Sequence, residues 1–240
     1  MVFYLIGLGL SLTSLSEEAK EIIKKAEKVY LEGYTVDFPY KIQDLEKELG
    51  QKIISLNRQE TENEKFVEEA KKKEIVLLVY GAPLIATTHT SLLLKCKKEK
   101  ISFKIIQNAS IFDAIAETGL QLYKFGKTAS LPAWKEGWKP DSFIEILKEN
   151  LSINAHTLLL VDIGLNFQKA TEQLKESCLQ KKIKLDKIII CSSLGTDNQK
   201  IFYKDIEDFK KIKVSLPYCI VLPGKMHFLE EEALKELSEN

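Results

Sequence analysis

Three short loops rich in small residues each follow an apolar run, and they are the first candidates for chemistry. The first is GLGL at residues 7–10, directly after the run Val2–Ile6. A dinucleotide-binding fingerprint needs a third small residue three positions after the second glycine, but Leu12 stands there. The sequence therefore predicts neither that fingerprint nor a P-loop. Glycines at a strand end let a ligand approach the backbone closely, although such a pair also serves simply as a tight turn.

The second loop is GAPLIATTH at residues 81–89, after the apolar run Ile75–Tyr80. Thr87 or Thr88 can cap a helix that begins there, and a helix N-terminus offers free amides to a ligand carboxylate or carbonyl. His89 is a conceivable general base. A polar side chain making local hydrogen bonds in a first helical turn is the simpler interpretation of this histidine.

The third loop is NASI at residues 108–111, after the apolar run Phe103–Gln107. Similar loops adjoin three apolar runs of the second half of the chain: His156–Val161, Lys187–Ser192 and Tyr218–Leu222. Ligands of open α/β sheets bind where strand ends meet at one edge. These loops are therefore expected to converge on a cleft.

Charge and composition exclude several classes of function. The 35 basic and 35 acidic side chains cancel, so no basic excess is available to neutralise a phosphate backbone, and we expect no nucleic-acid partner. Arg58 is the only arginine, which rules out a site built on several bidentate guanidinium groups. No apolar stretch approaches the roughly 18 residues of a membrane span. We therefore expect a soluble, cytoplasmic protein with no membrane partner.

The cysteines and histidines give little support to a metal site or a hydrolase. The four cysteines are widely scattered, without a C-x-x-C pair, and we expect them to be reduced, mostly buried thiols. They are Cys96, Cys178, Cys191 and Cys219. Besides His89, the chain has His156 in an apolar strand pattern and His227 at the start of the last helical region. Structural roles are expected for both, and no G-x-S-x-G elbow is present.

Strands and helices alternate in the first half of the chain, and they must position the loops. Five apolar runs are typical of strands: Val2–Ile6, Lys28–Leu31, Lys52–Ser55, Ile75–Tyr80 and Phe103–Gln107. Four stretches show helical spacing with charged outer faces: Ser16–Glu27, Tyr40–Leu49, Glu62–Lys73 and Thr88–Lys98. Ser14 with Glu17 fits a capping box. This alternation predicts a mainly parallel sheet with helices on both faces.

The pattern changes near residue 108, where glycine, proline and tryptophan become frequent. Helices are predicted at Asp141–Glu149, Asn166–Lys181 and Leu229–Ser238, around the three apolar runs named above. We therefore predict an α/β fold with two α/β domains, residues 1–109 and 110–240. The second domain is expected to be richer in hairpin-like strands.

Six strings, in order along nearly the whole chain, resemble one family. They are YLIGLGL from residue 4, PLIATTH at 83–89, NASI at 108–111, ETGLQLYKFGKT at 117–128, HTLLLVDI at 156–163 and PGKMHFLEEEAL at 223–234. Together they resemble the diphthine synthase family, a branch of the tetrapyrrole-methylase-like (class III) methyltransferases. GLGL is shared by the wider superfamily, whereas the strings at 117–128 and 223–228 are specific to the branch.

The resemblance implies a tetrapyrrole methylase-like fold, with a cofactor cleft between two α/β domains, and a homodimer. It implies S-adenosylmethionine as the methyl donor and S-adenosylhomocysteine as its product. The substrate would be translation elongation factor 2, whose 3-carboxy-3-aminopropyl-histidine would be methylated, up to trimethylation, on its amino group to form diphthine. The cofactor-binding positions of the family fall on Leu10, Ala82, Ile85, Ser110, Ile111, Val161, Leu194 and Tyr218. No catalytic side chain and no metal are expected.

Two positions depart from the family pattern. Ala82 stands where the family usually has an aspartate, and Tyr218 where archaeal relatives often have a histidine. Losing the aspartate removes a hydrogen-bond acceptor and a negative charge from the cofactor site. Two alternatives stay open: a divergent S-adenosylmethionine-binding dimer with weakened catalysis, and a class III methyltransferase acting on a small tetrapyrrole. The branch-specific strings argue against the second.

Overall fold

The structure is a computed structural model that describes residues 1–239. The chain separates into two compact units, Met1–Asp113 and Ala114–Asn240. Each unit contains one five-stranded sheet. The α/β class predicted from the alternating pattern is therefore confirmed.

The sheet of the first unit is entirely parallel, in the order β3-β2-β4-β1-β5. Its strands are β1 (Val2–Gly7), β2 (Lys28–Glu32), β3 (Ile53–Leu56), β4 (Ile75–Val79) and β5 (Ser102–Ile106). Every residue of the central strand β4 is buried. The reason is that apolar clusters cover both faces of the sheet, as its continuous Ile, Val and Leu pattern requires. All five strands and the parallel sheet were predicted.

The helices of the first unit are α1 (Glu17–Lys25), α2 (Ile42–Leu49), α3 (Arg58–Glu62), α4 (Lys65–Glu68) and α5 (Thr90–Lys98), and α6 (Ile111–Ala114) crosses into the second unit. The prediction of one helix over Glu62–Lys73 was wrong. Glu64 adopts a left-handed backbone (φ 55°), which ends α3 and restarts the chain as α4, followed by a 3-10 turn. The charged periodicity of this stretch does not reveal that break.

The predicted capping box at Ser14 was also wrong. The N-cap of α1 is Ser16, whose side chain accepts a hydrogen bond from the amide of Ala19. Ser14 instead pairs with Ser11, whose amide donates to the Ser14 hydroxyl oxygen at 3.1 Å. Two serines two residues apart offer the same capping chemistry, and the path of the loop decides between them.

The sheet of the second unit is mixed, in the order β6-β7-β10-β8-β9. Its strands are β6 (Ala129–Leu131), β7 (Thr157–Val161), β8 (Lys187–Ser192), β9 (Lys200–Asp205) and β10 (Tyr218–Leu222). The β6–β7 pair is parallel and the other pairs are antiparallel. Sequence patterns missed both edge strands. β6 is only three residues long, and β9 has lysine at two of its six positions.

Three longer helices complete the second unit: α7 (Ser142–Ser152), α8 (Phe167–Gln180) and α9 (Phe228–Leu237). The apolar faces of α7 and α8 share one core cluster with the sheet, which includes Phe143, Leu174 and Ile220. All four cysteines are free and buried, as predicted. Within residues 1–239, no helix is long and apolar enough to cross a membrane.

Candidate functional site

The loops that follow β1 and β4 are joined by backbone hydrogen bonds. The amide of Gly9 donates to the carbonyl of Gly81 at 3.2 Å, and the amide of Gly81 donates to the carbonyl of Gly9 at 3.0 Å. Both glycines have a left-handed backbone, with φ of 70° and 71°. This conformation favours glycine. The pair therefore holds two loop backbones together at the carboxyl edge of the parallel sheet.

The packing around the loop glycines is asymmetric. A Cβ on Gly7 would lie 2.5 Å from the carbonyl oxygen of Gly81, and one on Gly9 would lie 2.5 Å from the Cβ of Ser14. A Cβ on Gly81 would meet nothing closer than 3.7 Å. Gly7 and Gly9 are thus required for close packing between loops. At Gly81 a Cβ would make only ordinary van der Waals contacts, so packing does not require glycine there and its left-handed backbone does.

Asn108 fixes the third loop to the first. Its side-chain amide donates to the carbonyls of Gly7 at 3.1 Å and Ser14 at 3.0 Å, while its side-chain oxygen accepts from the amide of Ala109 at 2.8 Å. Asn108 lies in the NASI string, but the sequence predicts no role for it. The signal was available, because an amide side chain directly after a strand can satisfy the backbone groups of neighbouring loops.

The cofactor candidates Ser110 and Ile111 lie where α6 begins. The amide and hydroxyl of Ser110 both donate to the Asp113 carboxylate, at 2.7 Å and 2.9 Å. The Ser110 hydroxyl oxygen also accepts from the amide of Phe112 at 3.2 Å. These contacts occupy the buried Ser110 side chain locally, so its position is set by the turn around it.

Leu10 is held through its backbone by an aromatic side chain that was not among the predicted site residues. The hydroxyl of Tyr80 donates to the carbonyl of Leu10 at 3.0 Å, and the Tyr80 ring packs edge-on against Phe38 with centroids 5.3 Å apart. Burial raises the pKa of Tyr80, so its hydroxyl stays protonated and remains a donor. The Leu10 side chain is itself buried.

Ala82 and Ile85 lie on the loop between β4 and α5. Ala82 is buried, whereas Ile85 is 43% exposed. The amide of Ile85 donates to the carbonyl of Ala82 at 3.3 Å, which closes a tight turn. The loop therefore offers an apolar side chain and backbone groups to a ligand.

His89 is the N-cap residue of α5, so the prediction that Thr87 or Thr88 caps this helix was wrong. The His89 ring hydrogen-bonds through Nδ1 to the carbonyl of Pro83 at 3.2 Å, and the Thr87 hydroxyl donates to the same carbonyl at 3.3 Å. Because His89 is only 2% exposed, burial lowers its pKa and favours the neutral ring. The expected local hydrogen bonding of His89 is confirmed.

In the second unit, the three remaining cofactor candidates lie at one edge of the mixed sheet. Val161 ends β7, Tyr218 begins the antiparallel β10, and Leu194 follows the end of β8. The Tyr218 hydroxyl donates to the carbonyl of Leu165 at 2.9 Å, and its ring packs at 87° against Phe167. The eight candidates thus form two groups, five at a sheet edge of the first unit and three at a sheet edge of the second.

A family model described as Tetrapyrrole (Corrin/Porphyrin) Methylases matches residues 2–210. The chain therefore belongs to this family of methyltransferases, whose reaction requires a methyl donor. Several relatives to which it is similar are diphthine synthases. The diphthine synthase of Methanocaldococcus jannaschii is 38% identical, and the match covers 98% of each chain.

Two further comparisons agree with this placement. The diphthine methyl ester synthase of Schizosaccharomyces pombe is 32% identical, over 100% of this chain and 95% of its own. A crystal structure of a diphthine synthase matches with a TM-score of 0.90 at 31% identity, covering 99% of this chain and 96% of that one. The predicted family and fold are confirmed.

Proposed function

We propose that this methyltransferase transfers methyl groups from S-adenosylmethionine to the amino group of the 3-carboxy-3-aminopropyl-histidine of elongation factor 2. The product of the donor is S-adenosylhomocysteine, and the product on the protein is diphthine. The full-length similarity to diphthine synthases, at 38% identity, is the observation that carries this proposal. A reaction on a translation factor places the enzyme in the cytoplasm, and we propose that it acts as a homodimer.

The residues of the first unit suit such a donor. S-adenosylmethionine has no phosphate, so it needs no arginine clamp, and the chain has only one arginine. Its adenine ring suits apolar contacts such as the exposed Ile85 side chain. We propose that Leu10, Ala82, Ile85, Ser110 and Ile111 contact the donor, as do Val161, Leu194 and Tyr218.

The chemistry itself requires little acid–base help. When bound, S-adenosylmethionine supplies an electrophilic methyl group on a sulfonium. The neutral amine nitrogen forms a bond to that carbon while the carbon–sulfur bond breaks and its electron pair stays on sulfur. The ammonium then loses a proton to water before the next transfer, and the third transfer leaves a quaternary ammonium with no proton to lose.

The contribution of the protein is therefore alignment. Holding the reacting atoms in line can supply about 7–11 kcal/mol in the most favourable cases. The paired glycine loops and Asn108 make the backbone rigid where the donor is proposed to bind. His89 is neutral and buried, with Nδ1 engaged by Pro83, and the mechanism does not require it.

The test is a reconstituted reaction. Purified protein and donor are incubated with elongation factor 2 that carries the aminocarboxypropyl-histidine arm, and mass spectrometry follows the modified histidine. We expect three base-stable methyl groups on that arm and none on the unmodified factor. Equal labelling of both forms of the factor would disprove the substrate assignment. A base-labile fourth methyl group would instead indicate the methyl ester product in the name of the Schizosaccharomyces pombe relative.

Ala82 suggests the alternative of a divergent S-adenosylmethionine-binding dimer with weakened catalysis. Calorimetry with S-adenosylmethionine tests this alternative. No heat of binding at millimolar donor would exclude the enzyme. Donor binding without transfer to the factor, but with transfer to a small tetrapyrrole, would favour the second alternative.

A further inference from the structure

A pocket of about 480 Å³ opens on the second unit, away from its proposed donor residues. Three segments line it: Tyr123–Phe125, Ile153–Ala155 and Lys225–His227. The second segment comes just before β7, and the third comes just after β10. Val161 and Tyr218 lie at the opposite ends of these two strands. Four residue steps of about 3.3 Å each separate the two ends by roughly 13 Å.

The walls of this pocket are tied together by one buried carboxylate. Glu230 accepts hydrogen bonds from the amides of Gln121 and His227, from Lys124 and from His156. Burial opposes ionisation of Glu230, but these hydrogen bonds lower its pKa to about 2. The carboxylate therefore stays charged and holds the three segments in place, so the pocket is already formed before anything binds.

Exposed apolar side chains surround the pocket. Tyr123 is 82% exposed, Ile153 is 69% exposed and Phe228 is 72% exposed. Phe228 packs on the ring of His227, with centroids 4.1 Å apart. Large apolar side chains grouped around a concavity on a protein surface mark an interaction site.

The charge of the lining indicates the chemistry of the occupant. The lining contains Lys124, Lys225 and His227, and no aspartate or glutamate. Lys124 is neutralised by Glu230, while the exposed Lys225 forms no ion pair within residues 1–239. A second copy of the chain seated symmetrically here would bring like charges together, which is unfavourable. A partner with carboxylates beside an apolar side chain fits better.

We propose that this pocket docks a segment of the protein substrate, separate from the histidine that carries the methylated arm. The segment inserts an aromatic or long aliphatic side chain beside Tyr123 and places a carboxylate against Lys225. This inference rests on the proposed function, because it takes a protein as the methyl acceptor. It supplies local recognition for an enzyme whose zero net charge provides no long-range attraction.

The test measures direct binding of elongation factor 2, carrying the aminocarboxypropyl-histidine arm, to the full-length protein without methyl transfer. Lys225→Glu and Tyr123→Ala change the pocket. The matched controls are Lys235→Glu, an exposed lysine near the end of α9, and Leu179→Ala, an exposed leucine on α8. All four positions are exposed, and thermal unfolding of each variant checks that it is folded.

We expect about tenfold weaker binding for Tyr123→Ala, as for an anchoring aromatic residue. Lys225→Glu should also weaken binding about tenfold, with a smaller effect at high salt because surface charges are screened. The controls and the donor dissociation constant should be unchanged. Binding by the pocket variants equal to that of their controls would overturn the proposal. So would loss of a dimer in Tyr123→Ala, which would mean that a second copy covers the patch.

Different results would contradict the proposed function and the proposed docking pocket. Wild-type protein that binds the factor but transfers no methyl group contradicts the proposed function only. Transfer that proceeds normally while both pocket variants bind like wild type contradicts the docking site only.

Discussion

At the residue scale, the polar side chains near the proposed donor site make hydrogen bonds within the protein. Asn108 and Tyr80 each satisfy loop carbonyls, Ser110 bonds to Asp113, and His89 bonds to Pro83. These hydrogen bonds fix the positions of the loops. An in-line methyl transfer needs aligned atoms more than proton donors, so this arrangement suits the reaction.

Ala82 is the residue whose substitution should strengthen the site. Ala82→Asp restores an acceptor and a negative charge, and we expect the donor dissociation constant to fall several-fold, corresponding to about 0.5–1.5 kcal/mol. Calorimetry measures this change, and Ala82→Asn serves as the control that adds an acceptor without the charge. An unchanged or weaker affinity in Ala82→Asp would show that the loop has rebuilt its donor contacts around alanine.

Asn108 should matter for both stability and donor binding. Asn108→Ala leaves the carbonyls of Gly7 and Ser14 without their donor, and we expect a loss of about 1–3 kcal/mol in the free energy of unfolding. Donor affinity should fall as well, because the first and third loops are no longer joined. Urea unfolding and calorimetry measure the two effects. Wild-type values in both would mean that this side chain does not hold the loops.

At the element scale, parallel pairing brings the three loops of the first unit together. The order β4-β1-β5 places the loops after these strands side by side, and the Gly9–Gly81 bridge extends the pairing beyond the strands. Each loop therefore has little conformational freedom before a ligand binds. This preorganisation lowers the entropy lost on binding.

Glycine substitutions can distinguish the cost of steric overlap from the cost of an unfavourable backbone conformation. Gly7→Ala should be the most destabilising, because its Cβ would lie 2.5 Å from the backbone oxygen of Gly81. Gly81→Ala has room for a methyl group but requires a left-handed alanine, at a cost of about 1–2 kcal/mol. Gly33→Ala is the control, since nothing lies within 4 Å of its Cβ position. Thermal unfolding should rank the variants in that order, and equal melting temperatures for Gly7→Ala and Gly33→Ala would contradict the packing described here.

At the scale of the whole molecule, stability depends on pH through buried groups in both units. Burial lowers the pKa of His89 in the first unit and of His156 in the second, where the hydrogen bond to Glu230 only partly offsets it. Because the pKa of these histidines is lower in the folded state, the unfolded chain binds their protons at a higher pH than the folded chain does. Acidification therefore favours unfolding. Burial of Glu32 raises the pKa of its carboxyl and acts in the opposite direction.

The direction in which the histidines change stability with pH can be tested. Stability from His156 is fully present above the unfolded histidine pKa of about 6.5 and is lost progressively as the pH falls below it. We therefore expect His156→Asn to reduce the loss of unfolding free energy between pH 7 and pH 5, even if the variant is less stable overall. His227→Asn is the control, because it changes an exposed histidine and keeps an N-cap acceptor. Equal pH slopes for wild type and His156→Asn would refute this assignment.

The sequence by itself determined most of the architecture. Continuous apolar runs such as Ile75–Val79 can only be buried on both faces, so the parallel sheet of the first unit was predictable. The family could also be identified from the sequence, because its six strings lie in order along nearly the whole chain. Short or lysine-containing edge strands escaped prediction, since a three-residue strand such as Ala129–Leu131 has no detectable periodicity.

Only the tertiary structure decided which side chains hold the site together. Sequence spacing cannot show that Asn108 donates to Gly7, because the two residues are about a hundred positions apart along the chain. The same holds for Glu230, three of whose hydrogen-bond donors come from distant segments and help to build the docking pocket. Local pattern reports which face of an element is buried. Contacts between distant segments depend on how the packed elements bring loops together, and that information exists only in the folded chain.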